Sequence, residues 1–302
     1  MVTTHLQQNI SALLPDIELR LNESMAKHTS FQIGGPAEVM AFPRNGAELT
    51  RILKQSALLD IKPYILGAGT NILAPDKGLD GLVICLKDCM DGFERLDGDR
   101  IRVSAGVTMA RAAVFAAGQN LGGMEFAHGI PGTVGGGVYM NAGAYGGEIK
   151  DICESVDVVY LDGTMVTLTA EEMQFSYRHS CLEDKPAIVV SAVFKLTSKP
   201  ELEIRAQMQE LLKKRKASQP LEFPSAGSAF KRPVGGYAAA LIDQAGLKGF
   251  QIGGAAVSEK HAGFVVNLGG ATAQDVLNLL EQVEKIVYEN SGILLEPEVR
   301  IW

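Results

Sequence analysis

The chain has 302 residues and a formal net charge of −7, with 46% hydrophobic and 21% charged residues. This composition argues against a disordered chain or a membrane-embedded one, and the acidic balance argues against a nucleic-acid partner. At about 100–200 residues per domain, the length allows two or three domains.

The cysteines and the N-terminal segment bear on the compartment. The four cysteines, which are Cys85, Cys89, Cys153 and Cys181, lack paired CxxC spacing, so neither a zinc site nor a disulfide framework is expected. Cysteines without such pairing fit a reducing cytoplasm. The N-terminus has no basic segment followed by an apolar core, and no uncharged apolar run reaches about 18 residues. We therefore expect no export signal, no membrane insertion and no bound metal.

Hydrophobic spacing divides the first part of the chain into regular elements. Pro15 breaks a helix predicted over residues 1–20, whose apolar face is formed by Leu6, Ile10, Leu13 and Leu14. The elements predicted next are a strand over Glu38–Phe42, a helix over Ala47–Leu59, and strands over Tyr64–Leu66 and Leu82–Leu86. Together they predict a small β-α-β-β module.

The loop Gly67–Asn71, with sequence GAGTN, follows one of these strands. A dinucleotide-binding fingerprint requires a third glycine three residues after the second, at the start of a long helix. Position 72 is isoleucine, and Pro75 ends any helix early. The loop can still hold a phosphate through consecutive N–H groups and the Thr70 hydroxyl.

A second unit begins with a predicted hairpin, whose strands are Gly92–Leu96 and Arg100–Ala105. The turn between them is Asp97-Gly98-Asp99. Thr108 is then predicted to cap a helix over Met109–Gln119.

A glycine-rich stretch follows, and ten of the chain's 33 glycines lie between Gly122 and Gly147. Such density is tolerated where the backbone needs positive φ or approaches a ligand closely. A turn over Gly129–Gly132 is predicted to lead into Thr133, the N-cap of a short helix over Val134–Asn141 whose free N–H groups would face an anion. The apolar residues in the stretch favour a buried, ligand-contacting loop over a solvated linker.

The remainder of the chain alternates strands and helices. Antiparallel strands are predicted over Ser155–Tyr160, Met165–Leu168 and Ala187–Leu196. The later predicted elements are helices over 201–217, Tyr237–Ala245 and Ala273–Asn290, and a strand over Phe264–Leu268. The basic run Lys213–Lys216 is either a solvated helix end or an anion-binding patch, and the first interpretation is favoured.

Three residues stand out as candidates for chemistry. Arg178 follows two aromatic residues, and a partly buried guanidinium there would hold a carboxylate, either a structural one or a ligand's. Ser228 lies among residues too small to shield its hydroxyl, although most serines in such loops satisfy backbone groups. Glu298 lies in a predicted terminal strand, where it either faces inward as a proton donor or outward as an ordinary surface residue.

Five motifs, in this order, resemble those of the UDP-N-acetylenolpyruvoylglucosamine reductase family: YILGAGTNILAPD, GIPGTVGGGVYMNAGAYGGE, SYRHS, AGSAFKRP and LEPEV. The resemblance runs from about His28 to the C-terminus. It implies an α+β fold, with a two-part FAD-binding fold of the vanillyl-alcohol-oxidase type and a C-terminal α/β substrate-binding domain. The implied segments are FAD-binding subdomains over 1–90 and 91–200 and a substrate domain over 201–302.

The resemblance also implies noncovalent FAD, with NADPH as hydride donor, and a nucleotide-sugar substrate with an enolpyruvyl group. The implied catalytic residues are Arg178 and Glu298, which stabilise charge on the substrate carboxylate, and Ser228, which donates the proton. The implied FAD contacts are Gly67, Ala68, Gly69, Thr70, Asn71, Gly129, Ile130, Pro131, Gly132, Thr133, Gly135, Gly136, Asn141, Ala142 and Gly143.

Two other functions stay open from the residues alone. One is a flavin oxidase acting on a sugar or alcohol, in which His128 would be a point of covalent FAD attachment. The other is a non-catalytic protein that binds a nucleotide sugar. The short segment between Arg178 and Ala187 resembles a shorter family subtype, which lacks the tyrosine loop that covers the substrate in longer members.

Overall fold

The computed structural model of the chain describes residues 4–302. The α-helices of these residues are α1 (His5–Leu13), α2 (Gly46–Leu58), α3 (Met109–Gly118), α4 (Val134–Tyr139), α5 (Glu201–Ser218), α6 (Ala238–Gln244) and α7 (Ala273–Ser291). The strands are β1 (Glu18–Ser24), β2 (Pro36–Phe42), β3 (Tyr64–Leu66), β4 (Ile72–Leu73), β5 (Leu79–Cys85), β6 (Phe93–Leu96), β7 (Arg100–Ser104), β8 (Leu121–Gly122), β9 (Gly143–Ala144), β10 (Gly147–Glu148), β11 (Cys153–Tyr160), β12 (Met165–Thr169), β13 (Ala187–Lys195), β14 (Thr197–Ser198), β15 (Ser225–Ser228), β16 (Gln251–Ile252), β17 (Ala255–Val257), β18 (Phe264–Asn267) and β19 (Arg300–Ile301).

These elements form two compact units, each made of discontinuous segments. The first unit consists of the residues up to Leu21, Val39–Ala68 and Gly81–Lys214. The second unit consists of Asn22–Glu38, Gly69–Asp80 and Arg215–Trp302. Two early segments therefore group with the C-terminal part of the chain. The division into segments 1–90, 91–200 and 201–302 stays a prediction.

A four-stranded sheet with the order β1-β2-β5-β3 forms early in the chain, and its β3 and β5 are parallel. Helix α2 begins where the Asn45 side chain accepts the N–H of Glu48 at 3.0 Å. Its apolar face buries Leu49, Ile52 and Leu53 in the core of the first unit. Capping and a single buried face explain why this segment is helical.

A five-stranded antiparallel sheet with the order β12-β11-β13-β7-β6 makes up most of the remaining first unit. The central strand β13 is buried along almost its whole length, as expected for a strand covered on both faces. Helix α3 begins at Thr108, whose hydroxyl accepts the N–H of Arg111 at 3.3 Å. The buried face of α3 consists mainly of alanine, which permits close packing against its neighbours.

The second unit contains a four-stranded antiparallel sheet with the order β15-β18-β17-β16. Helix α7 packs its apolar residues Val276, Leu279, Val283 and Val287 into the core of this unit. It starts with a capping box between Thr272 and Asp275 and ends at Gly292, which has φ +68°. A parallel pair of short strands, β4 and β19, belongs to the same unit.

Most long elements lie within a few residues of their predicted bounds, but two predictions need correction. The helix predicted over 1–20 ends at Leu13 among the described residues, and Glu18–Ser24 is strand β1. Residues 1–3 of that prediction lie outside the described residues. The helix predicted over Val134–Asn141 ends at Tyr139, because Asn141 adopts a left-handed conformation with φ +41°. Over residues 4–302, we find no helix whose length and apolar character would let it cross a membrane.

The start of α7 has a second acceptor in addition to its capping box. The Asp76 carboxylate accepts the N–H of Ala273 at 2.8 Å and that of Gln274 at 3.2 Å. A carboxylate at a helix N-terminus also interacts favourably with the helix dipole. This contact links the segment after β4 to the longest helix of the second unit.

We expect Asp76→Ala to lower the free energy of unfolding by about 1 kcal/mol, because two first-turn N–H groups lose their acceptor. Urea unfolding followed by circular dichroism measures the change. Asp80→Ala is the matched control, since Asp80 is an exposed carboxylate a few residues away. Equal effects of the two substitutions would contradict a specific capping role for Asp76.

Candidate functional site

The predicted phosphate loop and the glycine-rich stretch meet in the first unit. A Cβ atom built on Gly67 would lie 2.6 Å from Thr133 Oγ1, closer than real Cβ atoms come to other atoms. A side chain at position 67 would therefore collide with Thr133, the N-cap of α4. The two motifs that the sequence singled out separately are thus neighbours in the fold.

Gly69, in the second unit, is fixed by backbone geometry. It is buried, has φ +61°, and a Cβ there would lie 2.1 Å from the carbonyl oxygen of His28. Its own carbonyl accepts the N–H of Ser30 at 3.0 Å. Only glycine fits this combination of conformation and close approach.

The N–H groups of this loop point to what it binds. Among the described residues, the N–H groups of Gly67, Ala68, Gly69 and Asn71 donate to no protein acceptor. Gly69 is buried and the other three residues are partly exposed. More than nine in ten buried backbone N–H groups in proteins are paired, so the unpaired N–H of Gly69 indicates a place for an external acceptor. Consecutive N–H donors of this kind bind phosphate oxygens. The loop therefore fits the pyrophosphate of a dinucleotide cofactor.

The start of α4 does not supply free donors, which corrects the prediction made for it. Thr133 does cap the helix, as predicted. However, Val134 N–H donates to Val107 O at 2.8 Å, Gly135 N–H donates to Ala105 O at 2.9 Å, and Gly136 N–H donates to Thr133 Oγ1 at 3.4 Å. The first turn is satisfied within the first unit, so it is not an anion site by itself.

The three glycines of α4 differ in whether packing within the protein requires glycine at their position. A Cβ on Gly135 would lie 2.9 Å from Ala105 Cβ, and one on Gly137 would lie 2.8 Å from Met109 Sδ. Both are therefore required for packing within the protein. Gly136 is exposed, and its Cβ would meet only Thr133 Oγ1, at an ordinary distance of 3.7 Å. Nothing within the protein requires glycine at position 136.

Asn141 has a structural role that sequence reasoning missed. Its side chain is fully buried, and its Nδ2 donates to Glu148 Oε2 at 2.7 Å and to Ser176 O at 2.9 Å. Its Oδ1 accepts the N–H of Lys150 at 2.9 Å. These partners use both donors of the amide, so the side chain holds protein segments together. Direct contact of the Asn141 side chain with a cofactor has no support in this geometry.

Arg178 lies at the tip of a tight hairpin that the Asn141 amide anchors. Ser176 and His179 exchange two backbone hydrogen bonds, at 3.1 and 3.2 Å, and Arg178 between them has φ +56°. The guanidinium of Arg178 donates to Gly143 O at 3.4 Å and lies 5.0 Å from the centre of the Tyr177 ring. Positive φ is unusual for arginine, and such strain concentrates at functional positions.

Ser228 and Glu298 come together within the second unit. Ser228 is exposed at the end of β15, beside Gly227 with φ +78°. The N–H of Glu298 donates to the carbonyl of Ala229, the residue after Ser228, at 2.8 Å. Asn71 Nδ2 donates to the carbonyl of Glu298 at 3.1 Å, so the predicted phosphate loop also reaches this segment.

The position of Glu298 differs in detail from the prediction. The terminal strand β19 contains only Arg300 and Ile301, so Glu298 lies before it. Its side chain is neither fully buried nor fully exposed, and the adjacent Val299 is buried. An isolated bridge between Phe230 and Pro297 holds this extended segment. The pairing is a single bridge and not a regular ladder because proline has no N–H to donate.

The cysteines take no part in this geometry. Burial raises the pKa of the Cys85 and Cys153 thiols to about 12, so both are inert at neutral pH. Within residues 4–302, no group of three or more histidine, cysteine and carboxylate side chains could hold a metal ion.

A loop with unpaired N–H groups beside a second glycine-rich segment is the arrangement expected of an FAD-dependent oxidoreductase. A profile described as an FAD binding domain matches residues 37–169. An alkyldihydroxyacetonephosphate synthase has a similar fold, with a TM-score of 0.51 at 15% identity over 66% of this chain and 41% of that one. A likeness at this identity concerns the fold alone.

The second profile narrows the class to one family. The C-terminal domain of UDP-N-acetylenolpyruvoylglucosamine reductase matches residues 219–302. The reductase of Caldanaerobacter subterraneus subsp. tengcongensis is 46% identical over 98% of this chain and 97% of its own length. That of Agathobacter rectalis is 45% identical over 97% of both chains. The crystal structure of the Thermus caldophilus enzyme has a TM-score of 0.80 at 37% identity, covering 95% of this chain and 98% of that one.

The chain belongs to the UDP-N-acetylenolpyruvoylglucosamine reductase family. It is an FAD-dependent oxidoreductase that uses NADPH and acts in the synthesis of the peptidoglycan precursor. The predicted α+β fold, with an FAD-binding part and a C-terminal substrate domain, is confirmed. Full-length similarity to these reductases favours this function over the flavin oxidase and the non-catalytic binding protein.

The room at Gly136 allows a test of cofactor contact. We expect Gly136→Val to fold with an unchanged unfolding midpoint but to lose bound FAD, because the protein accommodates the side chain and a cofactor in the loop does not. Flavin absorbance of the purified protein measures occupancy.

Two glycines provide controls for this experiment. Gly118→Val, at a position where an added Cβ would meet nothing within 4 Å, should keep its flavin, whereas Gly135→Val should impair folding. Full FAD occupancy in Gly136→Val would show that residue 136 does not face the cofactor.

Proposed function

We propose that Arg178, Ser228 and Glu298 are the residues through which this reductase acts on the enolpyruvyl group of its nucleotide-sugar substrate. One observation carries the proposal for the second unit. The backbone of Glu298 is held on one side by Ala229, next to Ser228, and on the other by Asn71 of the phosphate loop. A proton donor, a carboxyl group and the cofactor loop are thereby tied to one short segment.

For the cofactor, we assign the FAD pyrophosphate to the loop Gly67–Asn71, on the strength of its unpaired N–H groups. We also assign FAD contacts to the turn Gly129–Gly132 and to its neighbour Thr133. The remaining assigned contacts are Gly135, Gly136, Asn141, Ala142 and Gly143, with those of Asn141 limited to its backbone. When bound, FAD supplies the hydride, taken from NADPH, that reduces the substrate's double bond.

Arg178 binds the carboxylate of the enolpyruvyl group. Reduction of an unsaturated carboxylate concentrates negative charge on that group in the transition state. A planar guanidinium donates two parallel hydrogen bonds to it, and fixed donors of this kind stabilise the transition state by several kcal/mol. The hairpin holds Arg178 in a strained conformation before substrate arrives, so little reorganisation is needed on binding.

Ser228 donates the proton that completes the reduction. Its hydroxyl is exposed, and the neighbouring Gly227 and Ala229 carry no bulky side chain that would shield it. Serine is a weak acid in water, so this transfer requires a strongly basic carbanion held within hydrogen-bond distance. Glu298 supports the same charge as a hydrogen-bond donor, which requires that its carboxyl group carry a proton.

The proposal also includes a cellular location and a role for the product. We place the enzyme in the cytoplasm, in keeping with four cysteines that form no disulfide among the described residues. Its product would serve cell-wall formation, and through it cell shape and cell division. The proposed partner is the small-molecule substrate, with no nucleic acid or membrane involved.

Ser228→Ala tests the proton-donor role. We expect this variant to bind FAD and to bleach normally with NADPH, since flavin reduction needs no serine donor. Anaerobic addition of the enolpyruvyl nucleotide sugar should then restore the flavin absorbance about 10²-fold more slowly than in the wild type. Ser228→Cys, which keeps an exchangeable proton, should recover part of the rate. Near-normal recovery in Ser228→Ala would refute the role.

Arg178→Lys tests the carboxylate-binding role. Lysine keeps the positive charge but loses the two-donor fork, so we expect substrate reduction to slow much more than NADPH oxidation does. Stopped-flow measurement of the two half-reactions separates them. Equal loss in both would assign Arg178 a structural role.

A further inference from the structure

Several local hydrogen bonds close the turn between β17 and β18. Ser258 N–H donates to Phe264 O at 2.9 Å, and Phe264 N–H donates to His261 O at 3.0 Å. The Ser258 hydroxyl oxygen accepts the N–H groups of Lys260 and His261, at 3.2 and 3.3 Å. These contacts fix the backbone on both sides of the His261 ring.

The His261 ring itself takes part in the turn. Its Nδ1 accepts the N–H of Gly263 at 3.2 Å, and the ring packs edge-on against Phe264 with centroids 5.0 Å apart. A Cβ on Gly263 would lie 3.1 Å from both His261 Cε1 and Ala239 Cβ. The imidazole therefore sets the position and orientation of Gly263.

Gly263 in turn holds the segment that carries Ser228. Its carbonyl accepts the N–H of Ala229 at 2.8 Å, and Phe264 lies opposite Ser228 in the β15–β18 register. The carbonyl of Ala229 accepts the N–H of Glu298. One chain of contacts thus leads from the His261 ring through Gly263 and Ala229 to both candidate catalytic residues of the second unit.

We propose that His261 is a positioning residue for Ser228, and that it acts through the hydrogen bond that its unprotonated Nδ1 accepts from Gly263. The inference rests on the proposed function for the role of Ser228. His261 itself need not touch the substrate. Its contribution is to keep the Gly263 carbonyl, and hence the Ser228 hydroxyl, at a fixed place.

Protonation of His261 would remove this contact, because a protonated imidazole has no acceptor nitrogen. Burial lowers the pKa of His261 from the ordinary 6.5, and the positive charge of Lys248 lowers this pKa further. A hydrogen bond with its own backbone acts in the opposite direction. The other charged groups of the turn are Glu259, which lies against Gly249, and Lys260, which donates to Lys216 O.

The sign of the pH dependence follows from this lowered pKa. The folded state favours the neutral ring, so the contact is complete above pH 6.5 and is lost as the pH falls through the lower folded value.

Two substitutions separate the proposal from a general need for histidine. The Oδ1 of asparagine can occupy the place of Nδ1, whereas glutamine places its polar atoms nearer to Nε2. At pH 7.5 we expect His261→Asn to reduce the enolpyruvyl nucleotide sugar within about threefold of the wild-type rate. His261→Gln should be about tenfold slower or more, in line with the sensitivity of catalysis to small displacements. Both variants should bleach normally with NADPH.

Two further readouts distinguish positioning from simple stability. As the pH falls through the lowered pKa of His261, the ratio of the wild-type to the His261→Asn rate should fall, because asparagine does not titrate. Hydrogen exchange of the Ala229 amide should be faster in His261→Gln than in His261→Asn. Equal rates of substrate reduction in the two variants at pH 7.5, or equal exchange of the Ala229 amide, would overturn the inference. Failure of the wild type to reduce the substrate would instead overturn the proposed function, and the role of His261 with it.

Discussion

The structure depends first on the backbone of the loop Gly67–Asn71, the proposed FAD site, where several N–H groups have no acceptor among the described residues. Gly69 is buried, yet its N–H has no acceptor among the described residues. An unpaired buried donor costs about 1–3 kcal/mol, and a phosphate oxygen bound at the proposed site would remove that cost. Binding to the folded state alone then stabilises the fold by mass action. On the proposed assignment, FAD therefore stabilises the loop Gly67–Asn71.

A second constraint concerns the buried amide of Asn141. This side chain joins the end of the glycine-rich stretch to the hairpin of Arg178, through Ser176 on one side and Glu148 on the other. The two regions are thereby coupled within the first unit. A buried polar group with all its partners present rigidifies its surroundings, whereas the loss of one partner leaves a costly unpaired group. The end of the glycine-rich stretch and the hairpin of Arg178 thus share one anchor.

Much of the fold could be predicted because its signals are local. Helices α2, α3 and α7 have capping residues and a single apolar face within one stretch of sequence, and strand β3 has the predicted bounds. The errors concern partners that are distant in the chain. Strand β1 owes its conformation to pairing in a sheet, and the N–H groups at the start of α4 are taken by the carbonyls of Val107 and Ala105, far earlier in the chain. The structural role of the Asn141 amide was missed for the same reason, since its partner Ser176 is remote in sequence.

The discontinuous second unit has a consequence for how the chain is made. Its core combines Phe31, Ile33 and Leu73 with Val276, Val283 and Val287, which the ribosome adds much later. The early apolar residues therefore stay without these core partners until α7 has emerged from the ribosomal exit tunnel. Such long-range pairing slows folding, and exposed apolar segments in the interval favour aggregation. Demand for chaperones during synthesis should therefore fall mainly on residues 22–38 and 69–80.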